Sequence, residues 1–176
     1  TDSKPENEDL VIALARKPKY NLNDLFKTKK DLIFLERAQD PGNLGMISRS
    51  ALAFNSGGVI LSKDSVNPFN TKVIRASAGA VFSLPIEYAD DFNDVRNLAK
   101  DHNYKLIATS KNSGKDIREL DKNMQKIFLL GNEGSGLSKP FIDISDEIIT
   151  IPQSDKVESL NLGVSASILL WESFRK

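Results

Sequence analysis

A chain of 176 residues, 40% apolar and 27% charged, is long enough for one domain with a sizeable core and has the composition of a soluble globular protein. The absence of cysteine excludes disulfides and thiolate metal sites, and no window approaches the ~20 consecutive apolar residues of a membrane helix. Twenty-four basic residues balance 24 acidic ones, which argues against a stand-alone nucleic-acid binder unless basic residues gather on one face or another part of a longer protein supplies affinity.

The segment from Thr1 to Lys30 mixes charges with Pro5 and Pro18 and has one apolar stretch, Leu10 to Ala15; it reads as a tail, a linker or the remnant of a substrate-binding domain. Its polar start, Thr1 to Asp9, is unlike a signal peptide, so a cytoplasmic protein is expected. An apolar run within Asp31 to Glu36 predicts a strand, followed by the turn signals Asp40-Pro41-Gly42-Asn43 and a helix from about Leu44 to Phe54. Gly58 to Leu61 predicts the next strand, Asn70 to Ala80 a helix or irregular turn, Leu84 to Tyr88 a short strand and Asp90 to Asp101 a helix. Lys105 to Thr109 and Lys126 to Leu130 are short apolar runs ending at polar or glycine-rich turns, as buried strands do. Glu147 to Ile151 is the last predicted strand, and Leu162 to Phe174 an apolar helix containing Trp171. Strands alternating with helices predict an α/β layer structure with a mainly parallel sheet, whose ligands bind beyond the carboxyl ends of the strands.

The turn after Leu130 carries Gly131, Gly134 and Gly136, a tight loop able to offer backbone donors and acceptors. It lacks the Gly-Lys-Ser/Thr ending of a nucleoside triphosphate loop and does not have the glycine order of a dinucleotide fingerprint. The loop therefore reads either as a ligand cradle or as a plain glycine-rich turn. Two further segments give it context: Asp40-Pro-Gly-Asn-Leu-Gly-Met-Ile-Ser-Arg49, with Asn43 and Arg49 six residues apart, and Ile151-Pro-Gln-Ser-Asp-Lys-Val-Glu-Ser-Leu-Asn161.

Taken in this order, the Asn43–Arg49 segment, the glycine loop and the Ile151–Asn161 segment resemble the three motifs of SpoU (TrmH) methyltransferases of the SPOUT superfamily. Val73-Ile-Arg-Ala-Ser-Ala-Gly-Ala80 resembles a further segment of that family, and the likeness runs from about Leu32 to the C-terminus. The resemblance implies an RNA 2′-O-ribose methyltransferase that uses S-adenosyl-L-methionine, works as a homodimer and has a deep trefoil knot in its C-terminal half. It places residues 31–176 in the catalytic domain. It implies that the cofactor is held by Leu130, Gly131, Asn132, Gly134, Ile151, Pro152, Ser159 and Leu160, with Thr109 beside them.

The same resemblance puts Arg49 near the target ribose, supplied across the dimer interface to the partner's cofactor; otherwise it is a helix-surface arginine. Arginine keeps its proton, so phosphate anchoring and electrostatic stabilisation are expected in preference to deprotonation. Asn43 is expected to orient Arg49 or the ribose, with a cap before Leu44 as the competing role. Ser159 and Asn161 would place the target hydroxyl, and Glu133 would pair with Arg49 or hold the loop. Arg75, Lys63, Lys72, Lys111 and Lys115 are candidates for a phosphate-binding face, with Arg49, Arg75 and Lys72 foremost for RNA, although scattered lysines are also the ordinary solvated surface. His102, the only histidine, stands at a polar helix end, and no metal cluster is visible.

Two competing readings remain. One is a dinucleotide- or nucleotide-dependent enzyme, against which the glycine order counts. The other is a non-catalytic RNA-binding module with this fold, against which the presence of Asn43, Arg49, Glu133, Ser159 and Asn161 together counts. The expected partner is ribosomal or transfer RNA, with rRNA favoured because the Asp40 and Arg75 segments look most like the rRNA guanosine enzymes; neither membrane nor metal is expected.

Overall fold

A computed structural model describes residues 14–175. Seven parallel strands form one sheet: β1 (Leu32–Leu35), β2 (Gly58–Ser62), β3 (Ile86–Ala89), β4 (Lys105–Thr109), β5 (Lys115–Asp116), β6 (Lys126–Leu130) and β7 (Glu147–Thr150), in the spatial order β3-β2-β1-β6-β4-β7-β5. Every residue of β1 and β6, the two central strands, is buried, as a parallel sheet covered on both faces requires.

Alternate residues of each strand face opposite layers. Ile33, Leu35, Val59, Leu61, Phe128 and Leu130 meet α2 (Pro41–Ala53), α3 (Thr71–Ala76) and α6 (Leu162–Phe174), which bring Leu44, Ile47, Val73, Ala166 and Leu169 to that core. Leu32, Phe34, Ile60, Ile127 and Leu129 face the other way, toward α1 (Leu22–Lys27), α4 (Phe92–Asp101) and α5 (Lys139–Asp143). Phe34, Phe92 and Phe141 make a ring cluster there, with centroids 4.6 to 5.2 Å apart.

The predicted strands and long helices occur with small shifts at their ends. The second helix starts at Pro41 rather than near Leu44 because the Asp40 side chain caps it by accepting from the amide of Asn43 at 2.7 Å, with proline in the first turn, where it sacrifices no helical hydrogen bond. Asn70 to Ala80 divides into α3 and, after left-handed Gly79, a 3-10 turn at Ala80–Phe82.

The N-terminal segment departs from expectation. Residues 22–27 are neither tail nor linker: Asn21 caps α1, and Leu25 and Phe26 are wholly buried. The Tyr104 ring packs edge-on to Phe26 at 5.2 Å, and its hydroxyl donates to the Lys30 carbonyl at 2.9 Å. Burial of the two side chains contributes roughly 2–3 kcal/mol each. The apolar stretch expected at Leu10 to Ala15 falls mostly outside the described residues; Leu14 and Ala15 are exposed. Short β5 and α5 had no sequence signal strong enough to predict them.

Among the described residues no helix is long and apolar enough to cross a membrane.

Candidate active site

The loops that follow β4, β6 and β7 leave the same edge of the sheet and converge, with the start of α6, on a cavity of about 790 Å³. Strand β6 delivers the glycine loop. A Cβ on Gly131 would lie 1.9 Å from the Gly136 carbonyl carbon and the Leu137 amide nitrogen, so the loop folds back on itself and leaves no room for a side chain there. The Asn132 carbonyl accepts from the Gly136 amide at 2.8 Å and the Asn132 side chain accepts from the Gly134 amide at 2.9 Å, closing the turn. Gly136 has φ 69°, the left-handed region in which glycine is at ease. Gly134 differs: a Cβ there meets nothing nearer than the Asn132 side-chain oxygen at 3.5 Å.

Leu130, Gly131, Asn132, Glu133 and Gly134 line the cavity together with Thr109, Ile151, Ser159, Leu160 and Asn161, so ten of the predicted site residues line one cavity. Thr109 serves the fold as well, its hydroxyl donating to the Leu129 carbonyl at 3.0 Å. Pro152 is exposed and does not line the cavity.

Asn43 is 7% exposed and is not the cap of its helix, a position Asp40 fills. Its amide donates to Glu133 at 2.9 Å and its carbonyl oxygen accepts from the Asn161 amide at 2.8 Å. The Asn161 side-chain oxygen in turn caps α6, accepting from the backbone amides of Gly163 at 2.9 Å and Val164 at 3.2 Å. The α6 N-terminus thus fixes Asn161, Asn161 orients Asn43, and Asn43 presents its donor to the Glu133 carboxylate at the cavity.

Glu133 therefore holds the loop through Asn43 rather than pairing with Arg49 of its own chain. Six residues along an α-helix are about 120° of rotation and ~9 Å of rise, so Arg49 leaves α2 on a different face from Asn43. Arg49 is exposed and lines a separate cleft of about 360 Å³ with Leu52, Ala53, Ser83 and residues 77–80. Gly45 lets α2 and α3 approach closely beside this cleft, since a Cβ there would lie 2.4 Å from that of Ala76.

The predicted basic face divides. Lys111 lines the large cavity, Lys115 is paired with Glu147 at 3.4 Å, and Lys63, Lys72 and Arg75 stand exposed on the side of β2 and α3. His102 is half-buried against Phe26, its Nε2 3.0 Å from the Asn23 side-chain oxygen. Among the described residues no group of three or more His, Asp or Glu side chains is placed to hold a metal ion.

Sequence reasoning missed Glu36, at the end of β1. It is 6% exposed, and its carboxylate accepts from the Ser138 amide at 2.8 Å, tying down the far end of the glycine loop. A carboxylate directly after an all-buried parallel strand is the signal that could have found it. Ser110, Gln153, Glu158 and Ser165 also line the cavity without having been singled out.

Residues 31–171 match the SpoU rRNA Methylase family. An uncharacterized tRNA/rRNA methyltransferase of Synechocystis sp. is 36% identical over 144 residues, which is 82% of this chain and 53% of that protein. The SpoU methyltransferase AviRb of Streptomyces viridochromogenes, solved in complex with AdoMet, superposes with a TM-score of 0.82 at 27% identity, covering 89% of this chain and 62% of that one. A solved RNA 2′-O ribose methyltransferase gives a TM-score of 0.75 at 27% identity over 94% of this chain and 60% of its own. The chain thus spans between half and two thirds of the length of these relatives.

Proposed function

Because the chain belongs to the SpoU rRNA Methylase family, we propose that it is the catalytic portion of an RNA methyltransferase acting on a ribose 2′-hydroxyl in structured RNA, rRNA in preference to tRNA, with S-adenosyl-L-methionine as cofactor. The observation that carries this reading is the convergence of Gly131, Ile151, Leu160 and Asn161 on one cavity, with Asn43 bridging Asn161 to Glu133. About 790 Å³ is ample for a nucleoside-sized ligand, and the mixture of apolar side chains with the open backbone of a glycine turn suits an adenine base and a polar tail. The 2′-hydroxyl assignment draws support from the structural neighbour at TM-score 0.75, an RNA 2′-O ribose methyltransferase.

Leu130, Gly131, Ile151 and Leu160 would hold the cofactor mainly through backbone groups, with Thr109, Asn132 and Gly134 beside them. The bound cofactor supplies a methyl group activated by its sulfonium. Ser159 and Asn161 would place the ribose hydroxyl, and Glu133, bonded by Asn43, would hold the glycine loop. The Arg49 guanidinium would anchor a phosphate and stabilise negative charge developing on the attacking oxygen.

We further propose a homodimer in which Arg49 serves the partner's cavity. Within one chain Arg49 lines a different cleft from the proposed cofactor cavity. Met46 and Leu52 on α2 and Val164, Trp171 and Phe174 on α6 leave large apolar side chains 39 to 50% exposed across two packed helices, a surface suited to a second copy. The C-terminal knot belongs to the same proposal; β7 lying between β4 and β5, strands that precede it in the chain, is compatible with threading there. The catalytic domain would comprise residues 31–176 with α1 packed onto it, and the cytoplasm would be its place of work.

Calorimetry and a methyl-transfer assay test this reading. S-adenosylmethionine should bind with micromolar-scale affinity, and ribosomal RNA incubated with it should yield 2′-O-methylnucleosides by mass spectrometry. Binding of a nicotinamide or nucleoside triphosphate with no heat from S-adenosylmethionine would overturn the reading. RNA binding without methyl transfer would leave a non-catalytic RNA-binding module.

A further inference from the structure

Neutral overall charge hides an uneven distribution. Residues 14–83 carry eleven Lys and Arg against five Asp and Glu, and among the described residues Lys17, Arg49, Lys63, Lys72 and Arg75 form no ion pair. Aromatic surface lies within this basic region. The 3-10 turn Ala80–Phe82 sends successive side chains about 120° apart. With Ala80 and Val81 turned into the core, Phe82 is left 37% exposed.

Phe69, the residue before the cap of α3, is half-buried and packs beside Phe82 with centroids 6.0 Å apart and planes tilted by 41°. The Lys17 ammonium stands 5.3 Å from the Phe69 centroid. Lys72 and Arg75 follow on α3 at a spacing of three, which puts them on one face of that helix. Ser83, next to Phe82, lines the cleft that holds Arg49.

We propose that Phe82 and Phe69, with Lys17, Lys72 and Arg75 around them, form a stacking platform for an unpaired nucleotide of the substrate RNA that flanks the one presented to Arg49. The proposal rests on the reading that RNA is the substrate. Unpaired bases are bound by aromatic faces while neighbouring cations track the phosphates, and the unpaired charge here matches a polyanion. The stack gives preference for single-stranded over duplex RNA, and the cations give salt-dependent affinity.

Fluorescence anisotropy with a short, unstructured, fluorescein-labelled RNA and with its duplex form tests this on the whole chain. Phe82→Ala and Phe82→Leu should each weaken single-strand binding about tenfold while leaving the duplex and the salt dependence unchanged, whereas Phe82→Tyr should retain wild-type affinity. Lys17→Ala and Lys72→Ala should each reduce the slope of log affinity against log salt by about one. Photocrosslinking of a 5-bromouridine RNA should modify the peptide containing Phe82. Phe82→Ala binding the single strand as the wild type does would overturn the platform, as would equal losses on single strand and duplex, or a change of oligomeric state in place of a change in RNA affinity. A wild-type chain that binds neither RNA would overturn the platform and the RNA reading together; wild-type binding with no effect at Phe82 would overturn the platform alone.

Discussion

The Asn161 side-chain amide donates to the Asn43 side-chain oxygen at 2.8 Å, joining residues 118 positions apart in the chain. With Asn161 also capping α6 and Asn43 donating to Glu133, three side chains act as one directional unit whose donor and acceptor ends cannot be exchanged without losing a bond.

Removing the middle of that unit leaves two polar groups without their partner. Asn43→Ala should lower stability by about 1–3 kcal/mol in urea unfolding and weaken S-adenosylmethionine binding by releasing Glu133 and its loop. Asn43→Asp should lose more than Asn43→Ala, because it puts a carboxylate where Glu133 now receives a hydrogen bond. Wild-type stability and affinity in both variants would show that the bridge is incidental.

The two glycines of the loop that read alike in sequence should respond differently. Gly131→Ala drives a methyl group into the Gly136–Leu137 backbone and should abolish cofactor binding with severe loss of folded protein. Gly134→Ala makes only an ordinary contact with the Asn132 side chain and should fold with a thermal midpoint near wild type. Circular dichroism melts and calorimetry of the pair check this; equal behaviour would mean that the close approach at Gly131 is relieved cheaply.

Apolar strand runs ending at polar or glycine-rich turns mark where loops leave a parallel sheet, while the individual site residues follow from the resemblance to the SpoU family. That pattern points to the turns after Leu35, Thr109, Leu130 and Ile151, of which the last three line the cavity and the first does not. It could not reveal that Asn43 reaches Glu133 rather than capping its own helix, because the choice depends on Asp40 taking the cap and on α6 presenting Asn161. Residues Leu22 to Lys27 were misread for a related reason. Six residues with a Leu25-Phe26 pair are too short to show helical periodicity, and their burial comes from Tyr104 and β3, far along the chain. Glu36 was passed over because a charged residue after a strand looks like solvent-facing surface until its partner, Ser138, is in view.

The end of α6 carries a pH-dependent tie. Glu172 accepts from Arg175 Nε at 2.6 Å and lies 3.1 Å from Lys122, and the Arg175 hydrogen bonds, with Lys122 assisting, hold its carboxyl below the ordinary value of 4.5. The unfolded chain therefore binds this proton more readily, so the contribution is present above the ordinary value and is lost as pH falls through the lower folded value. Glu172→Gln should reduce the thermal midpoint by a few degrees at pH 7. In acid, below the carboxylate range, the two melts should converge. A constant difference at all pH values would assign the effect to packing.

The shared-site arrangement predicts rescue between two inactive chains. Arg49→Ala should leave stability and S-adenosylmethionine binding near wild type, since Arg49 is exposed and lies outside the proposed cofactor cavity, yet lower turnover by about a hundredfold or more if it stabilises charge on the attacking oxygen. Asn161→Ala should weaken cofactor binding and turnover together, because it loses the cap of α6 and the bond to Asn43. In a mixed dimer, Arg49 acting across the interface would combine both defects in one site and leave the other intact, so the mixture should regain a substantial part of wild-type activity. With Arg49 acting on its own chain's cavity, each site of the mixed dimer would carry one defect and the mixture would stay inactive. Methyl-transfer assays on the mixture, with subunit exchange followed by native mass spectrometry, separate the two arrangements, and inactivity despite complete exchange would return Arg49 to its own chain.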